Sequence, residues 1–266
     1  MKNFLLLLML LPVLTLVACG GDDKDEPKPD TDKYATRVIT VEGISFKMIK
    51  VEGGTYTMGA KDDDNDAWSN EKPAHQVTVS TFAIGETEVT QELWQAVMGS
   101  NPSYFSGAKN PVEMVNWEDC QEFIGRLNNL TGMKFRMPTE AEWEYAARGG
   151  KNSKDYTCPG GNIVDDVAWY SNNSNNKTHV VAAKAPNELG LYDMCGNVNE
   201  WCQDWFDGDY YSNSPKDNPK GPSSPSTWRV FRGGDWNDGL KSCRISYRNG
   251  GIPTKAEKTK GLRLAL

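Results

Sequence analysis

Five cysteines follow residue 19 of this 266-residue chain, and thiolates can act as nucleophiles or bind soft metal ions. They are Cys120, Cys158, Cys195, Cys202 and Cys243. No two of them form a Cys-x-x-Cys pair, and the chain has only 2 histidines, His75 and His179. A structural zinc site and a histidine-based catalytic triad are therefore disfavoured. Because the number of these cysteines is odd, at least one thiol should be free, and the disulfide pairing of the others stays open.

A second stretch that could do chemistry is CGNVNEW, residues 195–201. Gly196 and Asn197 favour a tight turn that points backbone carbonyls inward, and Glu200 adds a carboxylate. Carbonyl, amide and carboxylate oxygens are the ligands that calcium prefers. The alternative is that Glu200 only forms an ion pair with an arginine.

The elements that must position these residues are short, and the pattern predicts an α+β domain. Alternating apolar residues predict a hairpin whose turn is Gly53-Gly54, and HQVTVSTFAIG (residues 75–85) is predicted as one further strand. Apolar residues three and four apart predict three helices, which begin after the N-cap residues Thr90, Asn116 and Thr139. After residue 150 the periodicity is nearly lost, so turns, loops and short strands are expected up to residue 266.

Four stretches, by their order and spacing, resemble the formylglycine-generating enzyme family, whose domain is also called the sulfatase-modifying factor. They are GGTYTMG (53–59), RMPTEAEWEYAARGG (136–150), NELGLYDMCGNVNEW (187–201) and RVFRGGDW (229–236), followed by GLRLAL at residues 261–266. The likeness covers residues 51–266. It implies a C-type-lectin-like α+β fold over residues 37–266, with three short helices and small antiparallel sheets.

In catalytic members of this family, two cysteines five residues apart follow the double glycine and bind copper(I), and one of them engages the substrate thiol. Counted forward from Gly234, Asp238 takes the first position and Cys243 the second. Counted backward from Pro253 and Gly261, Cys243 matches neither of the two positions. Copper(I) held linearly needs two thiolates, so copper is not expected here. If the protein is an enzyme, Cys243 is its candidate catalytic residue.

The same resemblance implies calcium ligands. It assigns them to Gly196, Asn197, Val198 and Glu200 and, less specifically, to Asn173 and Asn175 of an asparagine-rich loop upstream. Asn199 departs from the family, which usually has tryptophan at this position. Calcium is therefore the expected cofactor.

Two functions remain open, and binding is favoured over catalysis. The first is a noncatalytic domain that binds a glycan, a peptide or a partner protein, because related scaffolds use the segment after the double glycine as a binding face. The contact residues would then be Trp236, Asn237, Asp238, Tyr247 and Asn249, whose side chains adapt to varied ligands. The alternative is core packing for the two aromatic residues and a solvated loop for the rest. The second function is an oxidoreductase of the formylglycine-generating type that acts on a protein cysteine.

The amino-terminal residues predict a lipoprotein. Residues 1–19 combine Lys2, an apolar run and the lipobox LVAC, so Cys19 is expected to be lipidated and to anchor the chain to the membrane. Residues 20–36 are acidic and lack the apolar side chains of a core, so a disordered tether is expected. Acidic runs after a lipidated cysteine resemble the export signals of Bacteroidetes lipoproteins, which favours the outer membrane and the cell surface. The net charge of −7 disfavours nucleic acid as a partner.

Overall fold

The structure is a computed structural model that describes residues 36–266. The predicted signal peptide with Cys19 lies outside the described residues, as does the predicted tether except for its last residue. Among residues 36–266, no helix is long and apolar enough to cross a membrane.

Residues 36–266 contain four α-helices, and the three predicted helices are confirmed. They are α1 (Gln91–Met98), α2 (Trp117–Thr131), α3 (Glu140–Ala147) and the single turn α4 (Val164–Val167). The Thr90 side chain caps α1, while Asn116 and Thr139 begin α2 and α3 with full capping boxes. Four short 3₁₀ turns complete the helical content, at Ser69–Glu71, Gly150–Asn152, Tyr210–Asn213 and Leu240–Cys243.

Nine strands form three small sheets within residues 36–266. The strands are β1 (Arg37–Val41), β2 (Ile44–Val51), β3 (Gly54–Met58), β4 (His75–Val79), β5 (Phe82–Gly85), β6 (Asn199–Trp205), β7 (Arg229–Arg232), β8 (Arg248–Gly251) and β9 (Lys260–Leu262). Their orders are β1-β2-β5, β3-β4 and β8-β7-β6-β9. The predicted small antiparallel sheets are present, but β9 pairs with β6 in parallel.

The predicted hairpin through Gly53-Gly54 is wrong, because β3 pairs with β4 and not with β2. The stretch predicted as one strand over residues 75–85 is also divided between two sheets, as β4 and β5. Gly53 allows this crossing, since a Cβ atom there would lie 2.5 Å from the carbonyl oxygen of Val79. The glycine therefore marks a close approach of two backbones and not a hairpin turn.

Two apolar clusters form most of the core. The first lies around α1, α2 and the first sheet, and it contains Cys120, which is fully buried as a small packing residue. The second surrounds α3, whose Trp143 is fully buried. Trp143 also donates a hydrogen bond of 2.6 Å from its indole nitrogen to Glu200. The core of this loop-rich chain is thus continuous with a set of buried charges.

Helix α3 is attached to the four-stranded sheet by buried ion pairs. Glu140 and Glu144, one turn apart, face the sheet and are almost fully buried. Arg248 of β8 donates to Glu140 over 2.6 and 2.9 Å, and Arg232 of β7 donates to Glu144. Arg232 also donates to the carbonyls of residues 246 and 247, and its Nε lies 3.6 Å from the Glu140 carboxylate. These contacts hold the carboxyl-terminal strands against the helix.

We expect Glu144→Gln to lower the free energy of unfolding by about 3–5 kcal/mol, because it leaves the Arg232 guanidinium buried without its counter-charge. Burial alone would raise the pKa of Glu144, but Arg148 and Arg232 lower it below its ordinary value. The contribution of the pair is therefore present at neutral pH and is lost as the pH falls through this lowered pKa. Urea unfolding at pH 7 measures the difference.

The matched control for Glu144→Gln is Glu122→Gln, which breaks an exposed i,i+4 pair with Arg126 on α2. Such a surface pair contributes less than about 1 kcal/mol. Equal losses in the two variants would show that the buried pair has no special role.

Candidate functional site

The double-glycine segment and the CGNVNEW turn lie side by side. Gly233 and Gly234, which follow β7, have φ angles of +97° and +69°. A Cβ atom on Gly234 would lie 2.7 Å from the carbonyl oxygen of Ser242, so the segment folds back on itself only with glycine there. The carbonyl of Gly233 accepts a hydrogen bond of 2.9 Å from Gly196, and Asn197 accepts one of 2.9 Å from Trp236. The two stretches singled out in the sequence therefore form one site.

Cys243 is buried in a small cluster with Cys158 and Cys195, while Cys202 lies in the second core. All five described cysteines are free thiols. Burial raises the pKa of the Cys243 thiol well above its ordinary range, and the neighbouring Asp238 acts in the same direction. The position expected for the first copper thiolate carries this aspartate. The residues present therefore do not fit a copper(I) centre of the family type.

Three of the five residues predicted to contact a ligand are accessible. Asn237 is exposed, and Asp238 and Asn249 are half-buried. Trp236 and Tyr247 are only 3% and 8% exposed, so most of each ring packs inside. The indole nitrogen of Trp236 donates to the carbonyl of Lys258 over 3.0 Å.

Phe105 packs edge-to-face on Trp236, with the ring centroids 5.3 Å apart, and lines a cleft of about 380 Å³. The cleft is lined by Tyr104, Phe105, Ser106, Asn110, Lys177, Thr178, His179 and Val180. Tyr104 is 69% exposed, and the Lys258 ammonium lies 5.6 Å from the centre of its ring. We call this the Tyr104 cleft. No acidic side chain lines it, and sequence reasoning missed it because its loop shows no periodicity.

Buried Glu113 holds the loop that carries Tyr104 and Phe105. Its carboxylate accepts a hydrogen bond of 2.8 Å from the Phe105 amide, and its own amide donates to the Ser103 hydroxyl over 3.2 Å. Desolvation raises the pKa of Glu113 to about 7. Exposed Tyr104 and half-buried Phe105 therefore belong to a loop that a buried carboxylate anchors.

Two carboxyl groups lie between the double glycine and Cys243. Asp235 is 6% exposed, and its carboxylate accepts a hydrogen bond of 2.7 Å from the Asn199 amide. Burial, together with the neighbouring Asp238 carboxyl group, raises the pKa of Asp235 to about 7. Burial likewise raises the pKa of Asp238. Asn199 is the residue that departs from the family, so this pair belongs to this chain's own version of the site.

Glu200, a predicted calcium ligand, forms the ion pair that was its alternative role. The Arg263 guanidinium donates to its carboxylate over 2.6 and 3.0 Å. The side chain of Asn197 is also engaged, since it donates to Glu88 over 2.8 Å and accepts from the His179 amide over 3.0 Å. To bind calcium, the side-chain oxygens of Glu200 and Asn197 would have to contact the ion in addition to the donors that they contact now.

Asp193 was missed at the sequence level and strengthens the calcium hypothesis. It is buried, one of its oxygens accepts from the Ala182 amide over 2.7 Å, and the other has no partner in the described part of the chain. Desolvation raises its pKa to about 6. Among the described residues, the Arg263 guanidinium interacts with the buried carboxyl groups of Glu88, Asp193 and Glu200. A divalent cation would favour the ionised form of Glu88 and Asp193, whose pKa values burial raises.

Side chains alone do not complete such a calcium site. Within residues 36–266, no three His, Cys, Asp or Glu side chains converge closely enough to hold a metal ion. Backbone carbonyls, for which Gly196 and Val198 are the candidates, would have to add ligands. In the upstream loop, Asn173 accepts from the Tyr170 amide over 3.0 Å, and Asn175 is exposed. Calcium binding at both places stays a prediction.

We expect calcium at tenfold its Kd to stabilise the protein by about 1.4 kcal/mol and to raise the melting temperature by about 3–6 °C. Asp193→Asn should reduce this response without loss of stability in chelator, because it removes a carboxylate that is costly to bury. Glu200→Gln should lower the melting temperature in calcium and in chelator alike, since it breaks the pair with Arg263. Calorimetry of the three proteins gives the answer. A wild-type melting temperature that is equal in calcium and in chelator would reject the site.

Comparison with known proteins agrees with the fold. The family model for the "Sulfatase-modifying factor enzyme 1-like domain" matches residues 43–266. The chain is 32% identical to the chaperone protein LppX of Paenibacillus barcinonensis over 93% of this chain and 92% of that protein. It is 33% identical to the formylglycine-generating enzyme of Streptomyces coelicolor over 65% and 57%, respectively. The solved structure of Treponema denticola variable protein 1 superposes with a TM-score of 0.80, at 34% identity, over 86% of this chain and 98% of that one. The chain therefore belongs to the sulfatase-modifying-factor, or formylglycine-generating enzyme, family.

Proposed function

We propose that this chain is a noncatalytic binding member of the family and that it holds a segment of another protein in the Tyr104 cleft. The observation that carries the proposal is that the segment after the double glycine offers no accessible thiol. Asp238 occupies the place of one copper thiolate, and Cys243 is 1% exposed. A thiol that must exchange with a substrate thiol has to be accessible and ionisable, and Cys243 is neither.

The cleft has the chemistry of a protein-binding site. Tyr104 offers a large, rigid aromatic surface on a loop that Glu113 anchors, and such residues often dominate binding energy. Val180 is 50% exposed and adds aliphatic surface to the same cleft. Lys177 lines the cleft, and exposed Lys258 stands beside Tyr104. The two ammonium groups, with no acidic residue in the lining, favour segments that carry carboxylates.

The comparison with LppX supports a protein as the ligand. That relative is named a chaperone protein, and its likeness to this chain extends over 92% of its length. A chaperone holds segments of other polypeptides, which is the class of ligand that we infer here. We further propose that Cys19 carries the lipid that anchors this domain to the outer membrane.

The absence of formylglycine-generating activity can be tested directly. Purified protein supplied with copper(I) and air should convert no cysteine of a Cys-x-Pro-x-Arg peptide to the aldehyde, as followed by mass spectrometry. A formylglycine-generating enzyme assayed in parallel controls for the reagents. Turnover by this chain that disappears in Cys243→Ser would overturn the proposal and make Cys243 catalytic.

Binding can be tested with carboxymethylated α-lactalbumin, an unfolded acidic polypeptide, in a fluorescence anisotropy titration. We expect Tyr104→Ala to weaken binding at least fivefold, because it removes about 1 kcal/mol or more of aromatic contact. Lys177→Ala should weaken binding less than Tyr104→Ala does, and the effect of Lys177→Ala should become smaller as the salt concentration rises.

The matched control is Trp68→Ala, which removes an aromatic side chain that is 61% exposed and does not line the cleft. It should bind as the wild type does. Equal affinities in Trp68→Ala and Tyr104→Ala would show that the cleft is not the binding site. A wild type that leaves the probe unbound would exclude unfolded acidic polypeptides as the ligand class.

A further inference from the structure

We propose that Asp235, Asp238 and Asn199 form a second cation site, built for a divalent ion with oxygen ligands and separate from the calcium site predicted at residues 196–200. It does not depend on the proposed binding function. Neither the family resemblance nor the comparisons assign a divalent cation with oxygen ligands to these three residues.

The backbone brings the two carboxyl groups to one turn. The Asp238 amide donates to the Asp235 carbonyl over 3.1 Å, and the Asn237 amide donates to the Asp235 carboxylate over 2.7 Å. From β6, the Asn199 amide group donates to Asp235 over 2.7 Å and also hydrogen-bonds the side chain of Asp238. Three side chains with oxygen atoms from two elements therefore meet at one place.

The charge of the pair is not balanced by a partner of its own. The nearly buried Lys260 ammonium acts on both carboxyl groups electrostatically and opposes the rise of their pKa. Its ion pair, however, is with Glu257 over 2.7 Å, and its nitrogen lies 4.8 Å from the centre of the Phe231 ring. Two carboxylates held together away from water require a bound cation or a shared proton.

The orphan oxygen of Asn199 is an independent observation that favours a cation over a proton. Asn199 is 3% exposed, yet its amide oxygen has no hydrogen-bond partner among the described residues. A half-turn of this amide would direct the oxygen at the carboxylates that its nitrogen now contacts. A proton shared by the carboxylates would leave that oxygen unsatisfied, whereas a cation would use it as a ligand.

The ligand set indicates the class of ion. Carboxylate and amide oxygens are hard ligands, which suit calcium, magnesium and manganese more than copper or zinc. The site is mostly dehydrated, and magnesium loses its water reluctantly, so calcium is the best match. The half-buried Asp238 provides the access from solvent.

The probe is terbium(III), which replaces calcium at oxygen sites and emits when a nearby tryptophan is excited. Trp236 lies between the two aspartates in sequence and is the expected sensitiser. The titration uses the Asp193→Asn protein, so that the site at residues 196–200 is already impaired. We expect saturable emission, reversal by excess calcium, and an affinity at least tenfold weaker in Asp193→Asn/Asp238→Asn.

The matched control is Asp166→Asn in the same Asp193→Asn background, which neutralises an exposed aspartate of α4 and should leave the titration unchanged. A second variant, Asn199→Ala, keeps both carboxylates and should weaken terbium binding severalfold. The proposal is overturned if emission does not saturate, or if Asp238→Asn and Asp166→Asn titrate alike. Circular dichroism of each variant establishes that it is folded.

Discussion

Buried pairs between arginines of the carboxyl-terminal segments and glutamates hold this fold together. Arg232, Arg248 and Arg263 are among the largest fully buried side chains, and each meets a buried carboxylate. Arg263 also donates to the carbonyls of residues 85 and 192, so one side chain ties β5, a loop and β6 together. In a chain with short strands and long loops, such fixed donors replace regular hydrogen-bond ladders. A buried charge that loses its partner is costly, which makes these pairs a constraint on the whole structure.

The buried ion pairs also fix the geometry of the candidate site. Arg232 is the last residue before the double glycine. Glu200 belongs to β6, the strand that begins within the CGNVNEW stretch. Residues 200 and 232 are register partners across β6 and β7, so fixing their side chains also fixes the two loops that leave those strands. The Asp235–Asp238 turn therefore directly follows a strand whose end is fixed. The same holds for Trp236, which packs on Phe105 of the Tyr104 cleft. Binding surfaces on such supports lose little freedom when a ligand arrives.

The sequence predicted the elements whose formation depends only on neighbouring residues. The caps at Thr90, Asn116 and Thr139 placed three helices, because a side-chain oxygen that accepts from the helix's own amide needs nothing distant. The partner of β3 could not be predicted, since a glycine at a backbone crossing reads like a glycine in a turn. The roles of Asp193 and Tyr104 could not be predicted for a similar reason. The burial of Asp193 and the exposure of Tyr104 both depend on segments that are far away in sequence. The ion pair of Glu200 was foreseen only as an alternative, because its partner lies 63 residues later.

The departures of this chain from the catalytic pattern lie together in space. The family resemblance implies a tryptophan at position 199 and a copper-binding thiolate at position 238. In this chain, the Asn199 amide contacts Asp235 and Asp238. A tryptophan at position 199 could offer one indole donor but no acceptor to this pair. The amide offers both, so the substitution suits two carboxylates far better than it suits a pair of thiolates. The segment after the double glycine thus presents carboxylate and amide oxygens, which are hard ligands, where copper(I) would need soft thiolates. This chemistry is the reason for proposing recognition, and not thiol oxidation, as the function of the segment.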